Sequence, residues 1–226
     1  MGSRATGKST LILNSHSSPK LVAIDEVQRV PELLNEVHRL IEEQHLTLNI
    51  PAFTRFLEVA ALSSGKMLNF SEIASDTAVP VSTVREYYHV LEDTFIGFMV
   101  PGWTKSIKRK AIAKAKFYLF DIGVKHTLAQ ITELIPKSDL FGQALEHFIA
   151  MELRAWLDYS RINKTLSYWC STHGVEVDFI VGDDIAIEVK ATNQIHDKHL
   201  KNLHSLIEEN ICKKYIIVSF DKINRK

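Results

Sequence analysis

The chain has 226 residues, 46% hydrophobic and 24% charged, with 27 basic and 27 acidic side chains. That length supports one large domain or two to three small ones, and zero net charge argues against a polyanion-coating protein while leaving room for a local basic site. Two cysteines, Cys170 and Cys212, are too few for a disulfide framework or zinc cluster, and no apolar run approaches the roughly 18 residues of a membrane span. A cytoplasmic protein with no membrane partner is expected.

Residues 1–48 open on Gly2-Ser-Arg-Ala-Thr-Gly7-Lys8-Ser9, a full match to G-x-x-x-x-G-K-[ST]. In such a loop backbone N–H groups cradle phosphate oxygens, the lysine reaches the terminal phosphates, and the hydroxyl binds magnesium. The run Leu21–Glu26, LVAIDE, looks like its partner motif, with Asp25 on the magnesium shell and Glu26 polarising water. Gly2, Gly7, Lys8, Ser9, Asp25 and Glu26 are therefore candidate ATP contacts. Only Met1 precedes Gly2, and 16 residues separate Lys8 from Asp25, little for a parallel sheet that needs several strands. The expectation is a shortened remnant with impaired hydrolysis.

Residues 49–136 read as a helix (PAFTRFLEVAAL), a second helix after Asn69, and a third after Val79-Pro80. Asn69 and Glu72 have capping-box spacing, and Ser82 is placed to cap the third helix. Two strand-like runs follow, FIGFMV and KFYLFDIG. This is the layout of a winged helix-turn-helix, with Ser82, Arg85, Glu86 and His89 exposed on its reading helix. The connection between the runs holds no acid from Thr94 to Phe120, while Lys105, Lys108, Arg109, Lys110, Lys114 and Lys116 supply six positive charges. Such a local excess suits a DNA backbone contact, centred on Lys105, Lys108, Arg109 and Lys110. The competing reading is a solvated loop.

Residues 137–226 read helix, three strands, helix, strand. Along VEVDFIV, Val175, Val177, Phe179 and Val181 share one face and Glu176 and Asp178 the other. A three-residue turn at Gly182–Asp184 pairs Val181 with Ile185, which sets Asp178 opposite Glu188 and Glu176 opposite Lys190. Like charges directly opposed are destabilising unless a divalent cation takes both as ligands. Lys190 then stands where it can stabilise charge developing on an attacked phosphate. The bland alternative is a polar, solvated strand face. His196, His199 and His204 lack a completing carboxylate or cysteine and read as a solvated helix face.

Asp178, nine residues, then Glu188-x-Lys190, behind a helix carrying Glu146, resembles the PD-(D/E)xK, or restriction-endonuclease-like, superfamily. The resemblance implies Asp178 and Glu188 as Mg2+ ligands, Lys190 as catalytic lysine, and Glu146 as the helix acid. Glu152, nearer the middle of the stripe Leu145, Phe148, Ile149, Leu153 and Trp156, is the alternative acid. Taken with DEVQRVPELL, LNFSEIA…STVREYYHVLEDT and KFYLFDIG, the whole order resembles prokaryotic AAA+-like ATPases with a winged-helix segment and such a C-terminal domain. That resemblance is compatible with an oligomer. The fold class expected is mixed α/β, and the function Mg2+-dependent action on DNA. A nucleotide- or DNA-binding module that does not cut, or an inactive decayed fragment, is the alternative.

Overall fold

A computed structural model describes residues 49–210 and 212–222. The loop Gly2–Ser9 and the run Leu21–Glu26 lie outside the described residues. Among the described residues the architecture is mixed α/β, as expected, with six helices and two sheets.

Asn49 caps helix α1 (Ile50–Ser63), its Oδ1 accepting from the Ala52 N–H at 3.2 Å. Phe53, Phe56, Leu57, Ala60 and Ala61 recur at helical spacing, and that stripe is buried against α2 (Phe70–Thr77) and α3 (Val81–Asp93). Phe53 meets Tyr87, and Phe56 meets Tyr88, edge to face with ring centroids 5.0 Å apart.

Two expected caps differ. Asn69 precedes α2, but its Nδ2 donates to Glu72 Oε2 at 3.2 Å and its side chain makes no bond to a helix N–H. Helix α3 starts at Val81 behind Pro80, whose φ of −59° already suits helix entry, so Ser82 lies inside the helix.

Strands β1 (Gly97–Val100) and β2 (Lys116–Leu119) pair antiparallel, Gly97 facing Leu119 and Val100 facing Lys116. The run KFYLFDIG does not continue as strand. Asp121 accepts from the Val124 N–H at 2.9 Å and starts α4 (Ile122–Leu128), because a side-chain acceptor there satisfies a first-turn donor.

The second half is α5 (Asp139–Tyr159), β3 (Leu166–Cys170), β4 (Glu176–Val181), β5 (Ile185–Lys190), α6 (Asp197–Ile207) and β6 (Lys214–Ser219). The sheet order is β3-β4-β5-β6, antiparallel except for the β5–β6 pair. Helix α6 supplies the crossover that a parallel pair needs. Val181 faces Ile185 across the expected turn, where Gly182 has φ +61°.

Both faces of this sheet are covered. On the α5 side, Ala150 and Leu157 pack with Phe179, Val181, Ile187 and Val189, and the same core takes in Phe98, Val100 and Tyr118 from the first sheet. On the α6 side, Leu203 and Leu206 pack with Trp103, Trp169, Val177, Ile180 and Ala186.

Strict alternation breaks at one place. Ser167 pairs with Ile180 and Trp169 with Val177, so β4 carries one residue more than β3 across that interval. The bulge falls on Asp178-Phe179 and re-aims the chain. Val175 and Val177 consequently pack on the α6 side, Phe179 and Val181 on the α5 side, and the four do not share a face. On α5 the buried line is Ala144, His147, Ala150 and Leu157, while Trp156 is 46% exposed.

Candidate functional site

Strand β5 lies between β4 and β6 under α6, so Glu188, in its interior, is not solvated. Glu188 is 0% exposed, which removes the reading of an ordinary polar face. Its Oε1 accepts from Lys190 Nζ at 2.6 Å and from Asn202 Nδ2 of α6 at 3.3 Å. Its buried Oε2 has no hydrogen-bond partner. Asp178, at the bulge, uses Oδ2 to accept the Val189 N–H at 2.7 Å, beyond the last ladder pair, Phe179 with Ile187.

Electrostatics set this cluster apart. Burial, then the charges of Glu146 and Glu188, push the Asp178 carboxyl well above the ordinary carboxylate range, against the Val189 N–H and Lys190. Burial also raises Glu188, against its contacts with Lys190, Asn202 and the backbone N–H of Asp178. Burial alone would lower the Lys190 ammonium, but Glu188, Asp178 and Glu146 hold it above its usual value.

Helix α5 brings Glu146 to the same neighbourhood. Tyr118 Oη donates to Glu146 Oε1 at 2.7 Å and Lys116 Nζ to the same oxygen at 3.0 Å. Glu152, the alternative acid, is exposed on the outer face of α5. Lys116 also sits 2.5 Å from Glu176 and 5.0 Å from the centroid of the Tyr168 ring. Glu176 therefore pairs with Lys116 and not with Lys190, because the β4–β5 ladder ends before reaching it and Lys190 turns to Glu188. A cavity of about 280 Å³ opens beside Glu146, Glu176 and Lys116, lined also by Lys66 and Gln143.

Lys116, Tyr118 and Asn202 were not singled out as site residues from sequence. Lys116 counted only as one charge of the connection. A lysine at the head of an otherwise apolar strand, KFYL, was the available signal.

The connection itself is used largely inside the chain. Lys105 pairs with Asp183 at 2.5 Å, and the Trp103 indole donates to the same carboxylate at 2.9 Å. Arg109 pairs with Glu208 and donates to the Ser205 carbonyl at 2.8 Å. Glu209 accepts the N–H groups of Ile107 and Lys108 at 2.8 and 2.7 Å. Lys108, Lys110 and Lys114 remain exposed. Of the four expected DNA contacts, Lys105 and Arg109 are thus engaged with acids of the turn after β4 and the end of α6. The acid-free composition of this stretch is answered by acids remote in sequence.

Among the described residues no three His, Cys, Asp or Glu side chains form a ready metal shell. Asp178 and Glu188 still fit a hard divalent cation. Asp178 is a carboxyl crowded by the charges of Glu146 and Glu188, Glu188 has a buried unpartnered oxygen, and magnesium commonly takes only one or two carboxylates and completes its shell with water. His199 Nδ1 accepts the His196 N–H at 3.1 Å at the start of α6.

Two family models match parts of the chain. Residues 31–134 match a Domain of unknown function (DUF8612), and residues 141–225 match a second Domain of unknown function (DUF4143). No curated protein and no solved structure matches the chain. Among the described residues no helix is long and apolar enough to cross a membrane.

Proposed function

We propose that the second half of the chain binds a divalent cation, Mg2+, through Asp178 and Glu188 and acts on DNA phosphodiesters. The observation that carries this reading is the Glu188 Oε2, fully buried and without a protein partner beside a carboxyl crowded by two other acids. A group in that state costs stability unless something outside the chain answers it. A bound Mg2+ would supply Lewis-acid polarisation of a phosphoryl oxygen and a more acidic water.

The chain's own groups do the positioning. The Val189 N–H orients Asp178, Asn202 and Lys190 orient Glu188, and Tyr118 and Lys116 hold Glu146. The Lys190 side chain, 31% exposed, is the cation of the cluster that reaches solvent and can meet phosphate. Lys108 and Lys110 would add backbone contacts. ATP binding through Gly2, Gly7, Lys8, Ser9, Asp25 and Glu26 belongs to the same proposal.

Supercoiled plasmid incubated with Mg2+ and the full chain is expected to be nicked, with Asp178→Ala and Glu188→Gln inactive. Intact DNA in every form, together with a metal affinity that Asp178→Ala leaves unchanged, would reject the reading. A module that binds without cutting is the second reading, favoured by the engagement of Glu146 with Lys116. It predicts saturable ATP binding, lost in Lys8→Ala, with DNA strands left whole.

A further inference from the structure

Lys116 belongs to strand β2 of the first sheet, yet its ammonium ends between two acids of the second half. It lies 3.0 Å from Glu146 and 2.5 Å from Glu176, with its side chain only 4% exposed. An ammonium so buried is tolerable only when paired, and both carboxylates are needed to answer its desolvation. The surroundings are just as telling. The charges of Glu146, Glu176 and Asp178 all act on Lys116, while those of Glu188, Asp178 and Glu146 act on Lys190.

We infer that Lys116 is a built-in cation. Its ammonium fills the place at Glu146 and Glu176 that a second metal ion would need, so the cluster takes one divalent cation, and the first sheet sets that number. The inference rests on the reading that Asp178 and Glu188 hold the first. An ammonium neutralises carboxylates as a fixed charge but binds no water as a Lewis acid. Phosphodiester chemistry at this cluster would therefore have one metal ion to draw on and no clamp of two.

Mn2+ binding to the full chain, followed by electron paramagnetic resonance, tests this directly. The wild type is expected to bind one equivalent, and Lys116→Met two, with the paired spins broadening the signal. Lys116→Arg should keep one. A folded Lys116→Met or Lys116→Gln protein that still binds one equivalent overturns the inference and leaves the Asp178–Glu188 reading standing. A wild type that binds none while Lys116→Met gains one supports the role of Lys116 and rejects that reading. No binding by either protein rejects both. Should Lys116→Met be unfolded without metal, millimolar Mn2+ is expected to restore its thermal transition, and failure of that rescue counts against the inference.

Discussion

Two groups of acids in this molecule have the same chemistry and opposite surroundings. Along the seam between the basic connection and the second sheet, Asp183 and Glu208 are held below the ordinary carboxylate range by bonds from Lys105 and Arg109. Burial would raise Glu209, but the N–H groups of Lys108 and Ile107 bring it below as well. At the centre of the sheet, burial pushes Asp178 and Glu188 the other way, and the charges of Glu146 and Glu188 add to the rise of Asp178. The seam is internally satisfied, whereas the centre keeps a buried Glu188 oxygen without a hydrogen-bond partner. Strain of that kind, kept in place by a well-packed core, marks the functional candidate.

The contrast can be broken in several places. Phe179 is fully buried beside Asp178 and anchors the bulge. Phe179→Ala should cost about 3–5 kcal/mol, read as a lower midpoint in urea. A cost under about 1 kcal/mol would mean that the bulge has no fixed anchor.

At the seam, Glu209→Ala leaves two backbone N–H groups and Arg109 short of an acceptor. Its expected cost is about 2 kcal/mol, and a neutral result would show that the connection is not docked there.

Asp178→Asn should move stability in the opposite direction. With chelator present, the variant is expected to melt higher than the wild type at neutral pH, and with Mg2+ to lose the wild type's gain. The pH dependence sharpens this. An unfolded Asp releases its proton near a pKa of roughly 3.9, the folded Asp178 only at higher pH, with Glu146, Glu188 and Lys190 around it. Between the two values the folded state holds the extra proton, so stability falls as pH rises through that window, and Asp178→Asn should flatten the fall. The seam acids behave inversely. Their stabilisation is present above the unfolded pKa and is lost as pH drops through the depressed folded value. Melts from acidic to neutral pH in wild type, Asp178→Asn and Glu209→Ala separate the two regions.

The smallest effect belongs to Lys105→Ala. Its side chain is largely exposed, and such a pair contributes no more than about 1 kcal/mol. The indole of Trp103 would still hold Asp183.

Much of this was legible in the residues alone. The helix–strand–strand–strand–helix–strand order of the second half and the Val181–Ile185 register both follow from local pattern. Apolar spacing and a Gly-centred turn act within a few residues of each other. The Asn69 box, the Ser82 cap and the shared face of Val177 and Phe179 differ in the structure for a related reason. Each depends on one local step that spacing does not report: a side chain turning to its neighbour, a proline entering one residue early, a bulge.

The sequence by itself determined the alternation of elements, the hairpin that carries Asp178 and Glu188 close together, and the acid-free connection. Only the tertiary structure decided that Glu188 is sealed under α6, that Glu146 and not Glu152 joins the cluster, and that Lys116 arrives there from another sheet. The physical reason is range. Periodicity and turn chemistry are properties of neighbours in the chain, while burial and charge pairing are set by groups that meet only after the two sheets share a core.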